Sequence, residues 1–209
     1  MYGRKQKSCA FLALGWYALY IISMLVFALL HIGIGTGYHV LHIGLMMLPL
    51  LLVVHFEKSF ASIGFQGTNQ FRDLLTALLT VTVCVLIALV AGKLSLLELC
   101  AKALYYFLYV ALLEELVFRG FLQNYLMGFL EMGVPEWVCR LIGGAMFALV
   151  HVPIPVWYSF VAIEYFLMVI PQLVFAFVFH VAMCVLTEKR GNIMLPIAIH
   201  FAVDFLQNI

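Results

Sequence analysis

The chain has 209 residues, of which 66% are hydrophobic and only 10% charged, with a formal net charge of +1. A mean hydropathy of +1.13 lies far outside the soluble range and excludes an ordinary soluble enzyme. The near-zero charge gives no electrostatic footprint for nucleic acid. The cysteines, at positions 9, 84, 100, 139 and 184, show no Cys-x-x-Cys spacing and read as small apolar fillers.

A single all-α domain follows, a polytopic membrane helix bundle, because a span needs about 20 apolar residues and must satisfy its own backbone. Apolar runs stand at residues 10–30, 40–56, 73–91, 99–126, 137–151, 172–187 and 193–206. The first follows Arg4, Lys5 and Lys7, but it is too long for a signal-peptide core and has no small-x-small cleavage site. Residues 57–72, 128–136 and 188–192 are polar connections, and Pro153 and Pro155 stop the fifth run. Residues 156–171 are apolar but short and hold Glu164. If they re-enter without crossing and the N-terminus is cytoplasmic, Arg4, Lys5, Lys7, Lys58, Arg72, Arg140, Lys189 and Arg190 all lie on the cytoplasmic side. Lys93 then lies outside, with Lys102 at the outer end of the fourth span. The expectation is about seven spans plus a re-entrant or interfacial segment, forming one integral membrane domain over residues 1–209 with a core at about 99–206. The short chain without appended domains suggests a bacterial cytoplasmic membrane.

Within the fourth run, Glu114, Glu115 and Arg119 interrupt a long apolar stretch. Each charge in a membrane helix costs roughly 2.5–3.5 kcal/mol on insertion scales, so the cluster marks a functional site or a structural lock between helices. Glu115 and Arg119 are four apart with the acid first, the favourable order for a neutralising pair. Glu114 is rotated by roughly 100° from Glu115 and needs other neighbours. Two further pairs recur at helical spacing, Phe147 with His151 and His200 with Asp204. A carboxylate four residues from His200 fixes its tautomer and raises its basicity. Three spans carrying such groups imply one shared polar cavity, since lipid offers them no other satisfactory neighbour.

Such a cavity suits amide hydrolysis by activated water. Glu114 would be the general base, a histidine would position the water, and a second histidine would donate to the oxyanion. Ser159, Cys139 and Cys184 have no base and orienting partner at useful spacing. Two rivals use the same residues. One is a zinc set of Glu114, His151 and His200 with Glu115 as base, although the compact His-Glu-x-x-His arrangement is absent. The other is a proton or ion pathway, for which no inverted repeat is visible.

In order, Glu114-Glu115-x-x-x-Arg119, Phe147-x-x-x-His151 and His200-x-x-x-Asp204 resemble the motifs of the CAAX protease and bacteriocin-processing family. These are the type II CAAX prenyl endopeptidase relatives also described as Abi proteins. Ser62-Ile-Gly-Phe65 and the approach Arg190-Gly-Asn-Ile-Met-Leu-Pro196 extend the likeness. The resemblance implies an intramembrane endopeptidase with Glu114 as base, assisted by His151, and His200 with position 204 at the oxyanion. Glu115, Arg119 and Phe147 would organise the site. It implies no cofactor in the simpler account, and zinc in the alternative. Position 204 is Asp where many relatives carry Asn. An ionised Asp only accepts, so Asp204 is expected to orient and charge His200, or to be protonated itself. The expected partners are the bilayer and a peptide or membrane-protein substrate, either CAAX-type or a small bacterial peptide or leader. A non-proteolytic regulator or bacteriocin-immunity protein is the rival from another class. His39 and His42 read as interfacial rings and His180 as a packing residue.

Overall fold

In lipid every backbone N–H and C=O must find a partner within its own segment, so each apolar run folds as a helix. The computed structural model describes residues 6–30, 36–65, 69–92, 94–152 and 163–209. These form seven helices and no strand. They are α1 (Lys7–Leu29), α2 (Thr36–Glu57), α3 (Gln70–Ala91), α4 (Leu96–Met132), α5 (Glu136–Leu149), α6 (Ile163–Arg190) and α7 (Met194–Gln207). A short 3-10 turn, Phe60–Ile63, precedes α3.

Four of the helices are long and apolar enough to cross a membrane: α1, α3, α4 and the Val169–Arg190 part of α6. The apolar part of α2, His39–His55, is shorter. Helices α5 and α7 have 14 residues each. At 1.5 Å per residue each rises about 21 Å, less than the hydrocarbon core of about 30 Å.

Two boundaries differ from the sequence reading. The connection expected at residues 128–136 begins only after Met132, because α4 closes with a 3-10 segment, Met127–Met132. The re-entrant segment expected at residues 156–171 does not stand apart from the sixth span. Its described part, from Ile163, runs through Pro171 into α6 without a break. Membrane helices accept an internal proline because neighbours and local adjustments re-satisfy the freed groups. Residues 156–162, Arg4, Lys5, Lys93, Pro153, Pro155, Ser159 and the side chain of Glu164 lie outside what is described.

Helix α4 is the axle of the bundle. It starts at a capping box: Ser95 Oγ accepts from the Glu98 backbone N–H at 3.4 Å, and Glu98 Oε2 accepts from the Ser95 N–H at 2.9 Å. Two π-helical stretches, Tyr105–Leu112 and Glu115–Gln123, flank Glu114. Wide turns of this kind recur at functional sites. One side of α4 buries Val117, Phe118 and Phe121 in a core shared with Trp16, Tyr20, Met46 and Val53. Nearer its start, Leu99 and Ala111 pack into a second core with Ile197, Phe201 and Phe205 of α7.

The turn before α3 clasps these parts together. Asn124 Nδ2 donates to the Ser62 carbonyl at 2.9 Å. Phe65 bridges Asn192, and the Ile193 N–H donates to the Gly64 carbonyl at 3.0 Å. Asn192 Nδ2 in turn donates to the buried Asp73 at 2.7 Å. The chain leaving α6 is thereby pinned beside α4, which sets where α7 and its histidine begin.

Candidate active site

The two adjacent glutamates of α4 separate as their helical rotation requires. Glu115 is fully buried and pairs with Arg119, also fully buried. The Arg119 guanidinium lies 5.4 Å from the Phe147 ring centroid and 5.3 Å from that of Phe179. Its Nε and Nη2 find no hydrogen-bond partner among the described residues, so the two aromatic faces complete its surroundings. Glu114 instead faces a cavity of about 490 Å³, which is also lined by Phe147, His151, Phe179, His200 and Asp204.

Helix α7 brings His200 to both carboxylates. Nδ1 lies 2.7 Å from Glu115 Oε1, while Nε2 lies 3.2 Å from Asp204 Oδ2 and 3.8 Å from Glu114 Oε2. The ring packs edge-on against Phe179 at 5.3 Å and against Phe147 at 6.2 Å. His151, at the end of α5, places Nδ1 3.0 Å from the Phe147 carbonyl oxygen. A carbonyl only accepts, so Nδ1 donates and the neutral ring keeps its lone pair on Nε2.

Every site residue expected from the sequence therefore lies in this cavity or directly behind it. Glu114, Phe147, His151, His200 and Asp204 line it; Glu115 and Arg119 support it from the buried side. Among the described residues no three His, Cys, Asp or Glu side chains are gathered into a metal-binding group. Both nitrogens of His200 already face carboxylates, and Nδ1 of His151 is engaged as well.

Sequence reasoning missed three features. The contact between His200 and Glu115 joins residues 85 apart in the chain, which no spacing rule reports. The α6 wall, with Gln172, Phe175, Ala176 and Phe179, follows an i, i+3, i+4, i+7 pattern that was legible but carried no charge to draw attention. His180 is fully buried against Phe147, in keeping with its reading as a packing residue, and the feature missed is its contact with Gln123, Nε2 to Oε1 at 3.2 Å.

An all-α bundle with membrane-length helices and carboxylates and histidines around one cavity defines the class, an integral membrane protein with a polar site among its helices. The chain belongs to the family described as type II CAAX prenyl endopeptidase Rce1-like, whose model matches residues 96–206. No curated protein and no solved structure matches it. Membership implies CAAX-type intramembrane protease chemistry, and the matched segment, from the start of α4 to the end of α7, contains the whole cavity motif set.

Proposed function

We propose that the protein hydrolyses a peptide bond of a membrane-proximal substrate, using water activated by Glu114. The observation that carries this reading is the convergence of Glu114, His151, His200 and Asp204, drawn from three helices, on one cavity. The Glu114 carboxylate takes a proton from the water as its oxygen attacks the scissile carbonyl carbon. His151, with its lone pair on Nε2, accepts a hydrogen bond from the same water and orients it. Carboxylates only accept, so in this scheme His200, with one at each nitrogen, acts as a two-donor ring: Nδ1–H stays on Glu115, while Nε2–H, which faces both Asp204 and the Glu114 side of the cavity, turns to the developing oxyanion and brings positive charge to it. As the tetrahedral intermediate collapses, Glu114 returns the proton to the leaving amine.

Asp204 orients and charges His200 in this scheme and does not itself hold the oxyanion. No step runs through a metal. The substrate is a CAAX-type protein end or a small bacterial peptide or leader, admitted to the cavity from the bilayer. The excess of Lys and Arg on one side supports a cytoplasmic N-terminus.

The test is to reconstitute the purified protein in liposomes with a peptide pool holding both prenylated CAAX ends and short leaders. Mass spectrometry then locates the scissions. The reading expects discrete cuts by the wild type. A folded wild type that retains a pool member without cutting it supports the regulator or immunity reading and overturns this one.

A further inference from the structure

Packed against Phe147, which lines the cavity, lies a buried pair that the scheme above does not use. His180 of α6 and Gln123 of α4 are both fully buried, with His180 Nε2 3.2 Å from Gln123 Oε1. An amide oxygen only accepts, so Nε2 carries the proton and donates. The space for this contact depends on α5: a Cβ at Gly143 would fall 2.0 Å from Gln123 Oε1 and 3.0 Å from His180 Nε2. Three helices thus meet at one hydrogen bond between polar groups that are costly to bury.

The His180 ring lies against the Phe147 ring, with centroids 5.3 Å apart and planes inclined by 32°. Phe147 also abuts Phe118 at 5.0 Å and His151 at 5.3 Å, and carries the Arg119 guanidinium on its face. Arg119 holds Glu115, and Glu115 holds His200 Nδ1. A contiguous path of packed groups and hydrogen bonds therefore leads from His180 to the imidazole that faces the cavity.

We propose that His180, fixed by Gln123, is a positioning residue that sets the ring of Phe147 and, through Arg119 and Glu115, the orientation of His200. This inference rests on the hydrolytic reading for its kinetic consequence but not for its structural one. A packing role alone asks only for a ring of the right size at position 180. A positioning role also asks for the N–H that Gln123 accepts.

The two are separated by comparing H180F, which keeps a ring and loses the donor, with H180Q, whose amide N–H replaces Nε2–H. Each is reconstituted beside the wild type. Kinetics are measured on a substrate cut by the wild type, and the imidazole nitrogen NMR signals of His200 are recorded after nitrogen-15 histidine labelling, assigned with H200Q. Misplacing a reacting group by a fraction of an ångström lowers rate far more than affinity, so H180F is expected to lose kcat by about 10-fold or more with KM within about 2-fold. H180Q is expected to restore most of it. The His200 signals should move in H180F and return in H180Q. Unchanged His200 signals in folded H180F overturn the positioning role whatever the protein cleaves. Signals that move in H180F but do not return in H180Q reduce His180 to a shape-filling residue and also overturn it. If the wild type cuts no substrate, the NMR arm still decides the structural claim, and the hydrolytic reading fails separately.

Discussion

At the scale of single residues, the site works by denying its charges any alternative neighbour. Glu115 and Arg119 are both fully buried, and removing one member of such a pair leaves an uncompensated charge. Arg119→Met is expected to cost about 3–5 kcal/mol in a denaturant melt in detergent, since the buried Glu115 then has only His200, which it shares with Asp204, to balance its charge. Arg119→Lys should recover only part of this, because an ammonium offers no planar face to the rings of Phe147 and Phe179. A melt of Arg119→Met equal to wild type would remove the buried pair from the account. Asp204 has a different task, holding His200 Nε2 at 3.2 Å. Asp204→Ala is expected to lower kcat on the order of 10- to 100-fold, as loss of an orienting partner of a functional histidine does. Asp204→Asn, which keeps an acceptor oxygen, should retain more activity than Asp204→Ala. The reverse ranking would mean that Asp204 acts on something other than His200.

At the scale of elements, α4 carries the site because other elements can approach it closely. A Cβ at Gly120 would fall 2.4 Å from the Ile63 carbonyl oxygen, a backbone atom with little room to yield. Gly120→Ala should therefore push back the turn that bears Ser62–Phe65, with a cost of about 1–3 kcal/mol on the scale of overpacking. Gly15 on α1 has nothing within 4 Å, so Gly15→Ala in the same melting assay is the neutral control. Equal melting of the two variants would show that the clasp is not tight. The elements also show how far a sequence can be read. Hydropathy placed the seven helices of the described residues, since length and apolarity are local properties of a chain in lipid. The i, i+4 rule found the Glu115–Arg119 and His200–Asp204 pairs, each confined to one helix. The long-range link from His200 to Glu115 was not legible, nor was the path of α6 through Pro171, because both depend on which helices become neighbours.

At the scale of the whole molecule, the bundle collects polar groups that the bilayer would otherwise reject and gives them one cavity of about 490 Å³. Helices α3 and α7 are held together through Asp73, Asn192 and a shared apolar core, so the wall bearing His200 is set by contacts remote from the reacting groups. Family membership covers the segment that builds this wall and α4 together, which is why a protease reading suits the molecule as a unit. The central claim is that Glu114 activates the water. A general base contributes roughly 10²- to 10⁴-fold to rate. The most direct test measures cleavage of an identified substrate by reconstituted wild type and Glu114→Gln side by side, with melting recorded for both. The account predicts a loss of at least about 100-fold in kcat for Glu114→Gln with an unchanged melt; cleavage at the wild-type rate by the folded variant would contradict it.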